Sequence, residues 1–118
     1  MSLFERIDTI CFTVSDIEKS AIWYEEVLGF KVAYKGDTYR IYSIGQSEMP
    51  LTIEKSTEKK APQQDAVYPI FFTKNIQDTF HQLKEQNVEV SEIKHDGQNT
   101  FFNFYDPDYN KLQVCYWE

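Results

Sequence analysis

A chain of 118 residues supports one domain with one real core. Its formal net charge of −7 argues against a nucleic-acid partner, whose phosphates demand clusters of Lys and Arg. Cys11 and Cys115 make no disulfide framework, no apolar run approaches transmembrane length, and the charged start lacks a signal-peptide core, so a reduced, cytoplasmic protein without a membrane partner is expected.

The first predicted strand ends at Val14 and alternates. Ile10, Phe12 and Val14 point to one face, and Thr9, Cys11 and Thr13 to the other. Ser15 is the expected cap of a helix, with Glu18 completing a capping box. Ile17, Ala21, Tyr24 and Leu28 form its apolar stripe, and Gly29 supplies a left-handed stop. Trp23 sits beside the stripe, a core or interface residue. Strands are predicted at 30–34, 38–44 and 50–54, with turns at Gly36-Asp37 and Gly45–Glu48.

Residues 56–65 lack apolar periodicity and read as a polar linker. The pattern then restarts. Residues 67–73 read as a strand, Asn75 as a helix cap, Ile76, Phe80 and Leu83 as the buried stripe, and Asn87 as the left-handed stop. Strands at 88–93, 100–105 and 111–117 follow, with Gly97 and Asp106-Pro107 in turns. The two halves share one element order, βαβββ, at an offset of 59 residues between Asp16 and Asn75, Ile17 and Ile76, and Tyr24 and Leu83. The chain is thus read as one α+β domain, residues 1–118, built from a module of about 5–55 and a second of about 66–118. Each module buries one sheet face under its own helix, which leaves the opposite faces for a ligand, for each other or for a second chain.

Val14-Ser15-Asp16-Ile17-Glu18-Lys19-Ser20, Trp23-Tyr24, Leu28-Gly29-Phe30 and the turn Asp106-Pro107-Asp108-Tyr109-Asn110 occur in the order met in one family. Across nearly its whole length the chain resembles the vicinal oxygen chelate family, the glyoxalase / bleomycin-resistance / extradiol-dioxygenase fold. Tyr109 stands where that family's turn has glycine. The resemblance implies a cup-shaped, half-barrel mixed sheet with helices on the outer face, and a homodimer. It also implies four metal-ligand positions, which fall on Thr9, Thr52, Tyr68 and Gln113. The repeat is consistent with this carry-over: Thr9 and Tyr68 are 59 apart, Thr52 and Gln113 are 61 apart.

A catalytic divalent ion wants imidazoles and carboxylates. These four positions offer two hydroxyls, a protonated phenol and an amide, so neither metal nor cofactor is expected. His81, on the second helix, and His95, expected in a turn, read as solvated surface residues. Cys11 and Cys115 lack a base nearby in the pattern and read as packing residues. No phosphate loop, nucleophile elbow or paired-carboxylate spacing occurs.

The ligand-binding set expected on the faces opposite the helices is Thr9, Cys11, Thr52, Glu54, Tyr68, Phe72, Phe101, Asn103, Gln113 and Trp117, with Thr13 and Cys115 in the same rows and no catalytic residue. Aromatic walls with sparse polar handles suit a small organic ligand; the competing reading is a dry dimer core, and the polar handles favour the pocket. Tyr39, Arg40 and Tyr42 border this set with ambiguous parity. Three readings are open. One is a metal-free binder of an aromatic or cationic ligand, like the family's bleomycin-resistance branch. The second is a metal-independent isomerase or lyase using Tyr68 or Glu54, for which a buried Glu54 is the marker. The third is a non-catalytic interaction module.

Overall fold

The structure is a computed structural model and describes residues 2–56 and 67–118. The expected linker, apart from Ser56, lies outside the described residues. The chain divides into two compact units, one through Lys60 and one from Ala61.

The first unit runs β1 (Ile10–Val14), α1 (Ile17–Ile22), one π turn (Trp23–Val27), β2 (Lys31–Lys35), β3 (Tyr39–Ser43) and β4 (Leu51–Lys55). Its sheet order is β1-β4-β3-β2, with β1 parallel to β4 and the remaining pairs antiparallel. The cap of α1 is Asp16, not Ser15: the Asp16 carboxylate accepts the Lys19 N–H at 3.1 Å. Glu18 turns instead to Arg40. Ile17, Ala21 and Tyr24 are buried as the stripe required, over Phe12, Val14, Leu51 and Ile53. The helix does not run regularly to its stop, because the π turn intervenes. Tyr24 stacks on the fully buried Tyr42 ring (6.0 Å, 19°), and Trp23 meets Tyr24 edge-on at 4.9 Å. Gly29 has φ 71°, the left-handed stop expected there, and the Phe30 N–H donates back to the Tyr24 carbonyl.

The second unit runs β5 (Ile70–Phe72), α2 (Ile76–Glu85), β6 (Lys94–Asp96), β7 (Asn99–Tyr105) and β8 (Lys111–Tyr116). Its sheet order is β5-β8-β7-β6, again with one parallel pair, β5 with β8. The order is the same as in the first unit, position for position, so the repeat is present in the topology. Ile76 and Leu83 are buried, and Phe80 packs edge-on against Phe102 at 5.1 Å. Asn87 takes φ 61° at the helix end.

Three expectations change in this unit. The strand at 67–73 begins only at Ile70, because Pro69 has no N–H for the ladder; its carbonyl still accepts the Gln113 N–H. The strand at 88–93 is absent. Val90 makes a single bridge to Phe104, and the Ser91 hydroxyl takes the Asn103 N–H at 2.9 Å in place of a backbone carbonyl. The regular strand starts later, at Lys94, so His95 lies in β6 rather than in a turn, its Nδ1 3.1 Å from the Thr100 hydroxyl. Each unit is α+β, with a four-stranded mixed sheet and a helix on one face.

Candidate functional site

In the first unit, register assigns the side chains to faces, since directly paired residues project the same way. Cys11 pairs with Thr52 and Thr13 with Glu54; Thr52 and Glu54 in turn pair with Ile41 and Tyr39. This row lies opposite α1. Arg40 and Tyr42 face the helix, so of the three residues of ambiguous parity Tyr39 alone joins the candidate face.

Tyr34 joins it too, and the sequence reading missed it. Val32 pairs with Tyr42, on the helix side, so two residues later Tyr34 should also face the helix. A bulge between Val32 and Tyr34 moves Tyr34 opposite Ile41 instead. There its ring stacks on Tyr39 at 5.7 Å and 24°. A tyrosine on each side of the Gly36-Asp37 turn was the available signal; the bulge that turns them to one face leaves no clear mark in Val32-Ala33-Tyr34.

Thr9 and Thr52 meet on this face. Their hydroxyls are 2.8 Å apart, and Thr9 also reaches the Pro50 carbonyl at 3.1 Å. Thr52 is buried, while Cys11 and Glu54 are exposed.

In the second unit the face opposite α2 carries Ile70, Phe72, Phe101, Asn103, Gln113 and Cys115, through the pairs Ile70–Gln113, Phe72–Cys115, Phe101–Cys115 and Asn103–Gln113. Gln113 is buried and donates its amide N–H to the Asn103 side-chain carbonyl at 2.9 Å. Phe72 and Trp117 meet edge-on at 5.5 Å, both about half exposed. Tyr68 lies just before β5 with the Lys111 ammonium 4.0 Å from its ring centroid. Burial pushes the Cys115 thiol above its ordinary pKa, which keeps it a poor nucleophile. His81 is exposed at the edge of Phe80.

The chemistry at Thr9, Thr52, Tyr68 and Gln113 does not fit a catalytic metal. The Thr9 and Thr52 hydroxyls hydrogen bond each other, the Gln113 amide donates to Asn103, and the Lys111 ammonium stands over the Tyr68 ring. None supplies an anion or an imidazole to replace an ion's water. Among the described residues no group of three or more His, Cys, Asp and Glu is placed to hold an ion.

Residues 6–114 match the profile of the Glyoxalase/Bleomycin resistance protein/Dioxygenase superfamily. The chain belongs to this superfamily. A curated relative, the metallothiol transferase FosB of Lysinibacillus sphaericus (strain C3-41), is 28% identical over 115 residues, covering 92% of this chain and 80% of that protein. Among solved structures, the glyoxalase family protein from Enterococcus faecalis is similar at TM-score 0.80 and 21% identity, over 97% of this chain and 99% of that one. The genomically encoded fosfomycin resistance protein FosX from Listeria monocytogenes gives TM-score 0.81 at 13% identity, over 98% and 96%. At such identities the structural likeness establishes the superfamily fold alone. No helix among the described residues is long and apolar enough to cross a membrane.

Proposed function

We propose that this superfamily member is a metal-free binding protein for a small organic ligand, aromatic or cationic, that acts as a homodimer and performs no reaction. The observation that carries this reading is the state of the positions where metal-using relatives hold their ion. Thr9 and Thr52 are closed on each other at 2.8 Å, and Gln113 on Asn103 at 2.9 Å, as neutral pairs. Such groups orient organic ligands through neutral hydrogen bonds and give a divalent ion nothing to bind. Metal-dependent thiol transfer of the kind FosB's name describes loses its electrophile here. Exposure of Glu54 supports binding over general-base catalysis, since among the described residues no enclosing cleft holds its carboxylate against a substrate proton.

Elemental analysis of the purified protein tests the reading first. The expected result is no stoichiometric Zn²⁺, Mn²⁺, Ni²⁺ or Fe²⁺, and no thiol-transferase activity towards fosfomycin with any of them added. About one metal per chain, retained by the wild type and lost from a Gln113→Leu variant, would overturn it. A thermal-shift screen against cationic antibiotics, flavin-like rings and thiol conjugates identifies the ligand class, and sedimentation equilibrium checks the dimer.

A further inference from the structure

We propose that the β2–β3 hairpin and Glu54 form a subsite for a planar organic cation, a ring with a quaternary or protonated nitrogen. This deepens the binding-protein reading above and rests on it.

The subsite is built in three steps across adjacent strands. Tyr34 on the edge strand stacks on Tyr39, and Tyr39 stands directly opposite Glu54 on β4. Tyr34 is 55% exposed, which leaves surface open for another ring. The Glu54 carboxylate is exposed and forms no hydrogen bond or ion pair among the described residues. Aromatic faces and a free carboxylate in one row attract a flat cation twice, through the ring quadrupole and through charge.

The stack is held in place rather than left to rotate. The Tyr39 ring lies directly over Gly36. A Cβ added at Gly36 would come within 2.7 Å of the ring's Cδ1, so glycine is what lets the ring lie flat. The neighbouring Tyr34 phenol, and then burial, hold the Tyr39 phenol above its ordinary pKa, so its ring stays neutral in the stack. From the other side of the sheet the buried Arg40 guanidinium donates to the Gly36 and Tyr39 carbonyls at 2.8 and 3.0 Å, fixing the turn that carries the pair. Arg40 is a positioning residue: it faces the helix and works through the turn. Ordering the rings before a ligand arrives removes part of the entropy that binding would otherwise cost.

N-methylquinolinium and quinoline at pH 8 serve as matched probes, cationic and neutral, in calorimetry on the full chain. The expected result is N-methylquinolinium binding about tenfold more tightly, a preference that shrinks with added salt. Glu54→Gln should cut the preference to the smaller part that the rings supply and remove most of its salt dependence, and Tyr34→Leu should weaken both probes, while Tyr34→Phe retains them. Tyr34 and Glu54 are exposed, so these variants are expected to fold, which far-UV circular dichroism verifies. Equal affinity for the two probes, no binding of either, or a Tyr34→Leu variant that binds like the wild type would each overturn the subsite. Binding of some other organic ligand, unaffected by Tyr34→Leu, would overturn the subsite and leave the binding-protein reading standing. Stoichiometric metal in the purified chain would overturn both.

Discussion

The Thr9 hydroxyl lies 2.8 Å from that of Thr52 and 3.1 Å from the Pro50 carbonyl, so the two threonines form one local network on β1 and β4. The pair is asymmetric. Thr9→Val strands the buried Thr52 hydroxyl and removes a donor from Pro50, whereas after Thr52→Val the Thr9 hydroxyl still has Pro50. Thr9→Val is therefore expected to cost more, about 1–2 kcal/mol against about 1 for Thr52→Val. The double variant should cost little more than Thr9→Val alone. Urea unfolding of the four proteins checks this; fully additive losses would show that the hydroxyls are not coupled.

Tyr109 occupies φ 64° in the turn after β7, where a side chain is strained, and the residue is 61% exposed. The turn itself is set by Asp106. One of its carboxylate oxygens accepts the Asp108 and Asn110 N–H groups at 2.9 and 2.8 Å, and the other accepts the Asn110 amide at 2.8 Å. Tyr109→Gly is expected to stabilise the protein by about 0.5–1 kcal/mol, because relief of the left-handed strain exceeds the entropy that glycine adds to the unfolded chain. Asp106→Ala should destabilise by about 2–3 kcal/mol by orphaning buried donors. Thermal unfolding midpoints moving in opposite directions are the readout.

The duplicated order was legible because its punctuation is local. Gly29 and Asn87 end the helices with positive φ, and the stripes Ile17-Ala21-Tyr24 and Ile76-Phe80-Leu83 carry the helical period. The candidate rows on β1, β4, β7 and β8 followed from parity. Hidden features were those where one residue breaks parity or substitutes for backbone. The bulge beside Ala33 swings Tyr34 to Tyr39's face, and the Ser91 hydroxyl intercepts an N–H that a regular strand would have bonded. Asp16 and Ser15 are both good caps, and composition alone does not choose between them.

Arg40 is 3% exposed while its ion-pair partner Glu18 is 74% exposed. The two halves of this contact should therefore differ in weight. Glu18→Gln removes a charge already screened by water and is expected to cost under about 1 kcal/mol. Arg40→Ala leaves the Gly36 and Tyr39 carbonyls without their donor and opens a void under the hairpin, so a loss of about 2–4 kcal/mol is expected. Chemical denaturation separates the two. Equal losses would mean that the ion pair, and not the bonds to the turn, carries Arg40's contribution.

Stability at high pH depends on Tyr42. Its ring is fully buried and its hydroxyl donates to Glu25 at 2.9 Å. Burial first, and then the bond to Glu25, raise its pKa well above the ordinary 10.0. The folded state therefore keeps the phenol proton more tightly than the unfolded chain does. Below about pH 10 both states hold it, and this contribution to stability is fully present. As pH rises past that point the unfolded chain releases its proton first, so stability falls progressively towards the folded-state pKa. The expected profile is flat from pH 7 to 9 with a decline above 10. Tyr42→Phe should lower stability near neutrality by about 1–2 kcal/mol, because Glu25 loses its donor, and should flatten the alkaline decline. Urea midpoints at several pH values test it; a decline unchanged in Tyr42→Phe would assign the alkaline sensitivity to other groups.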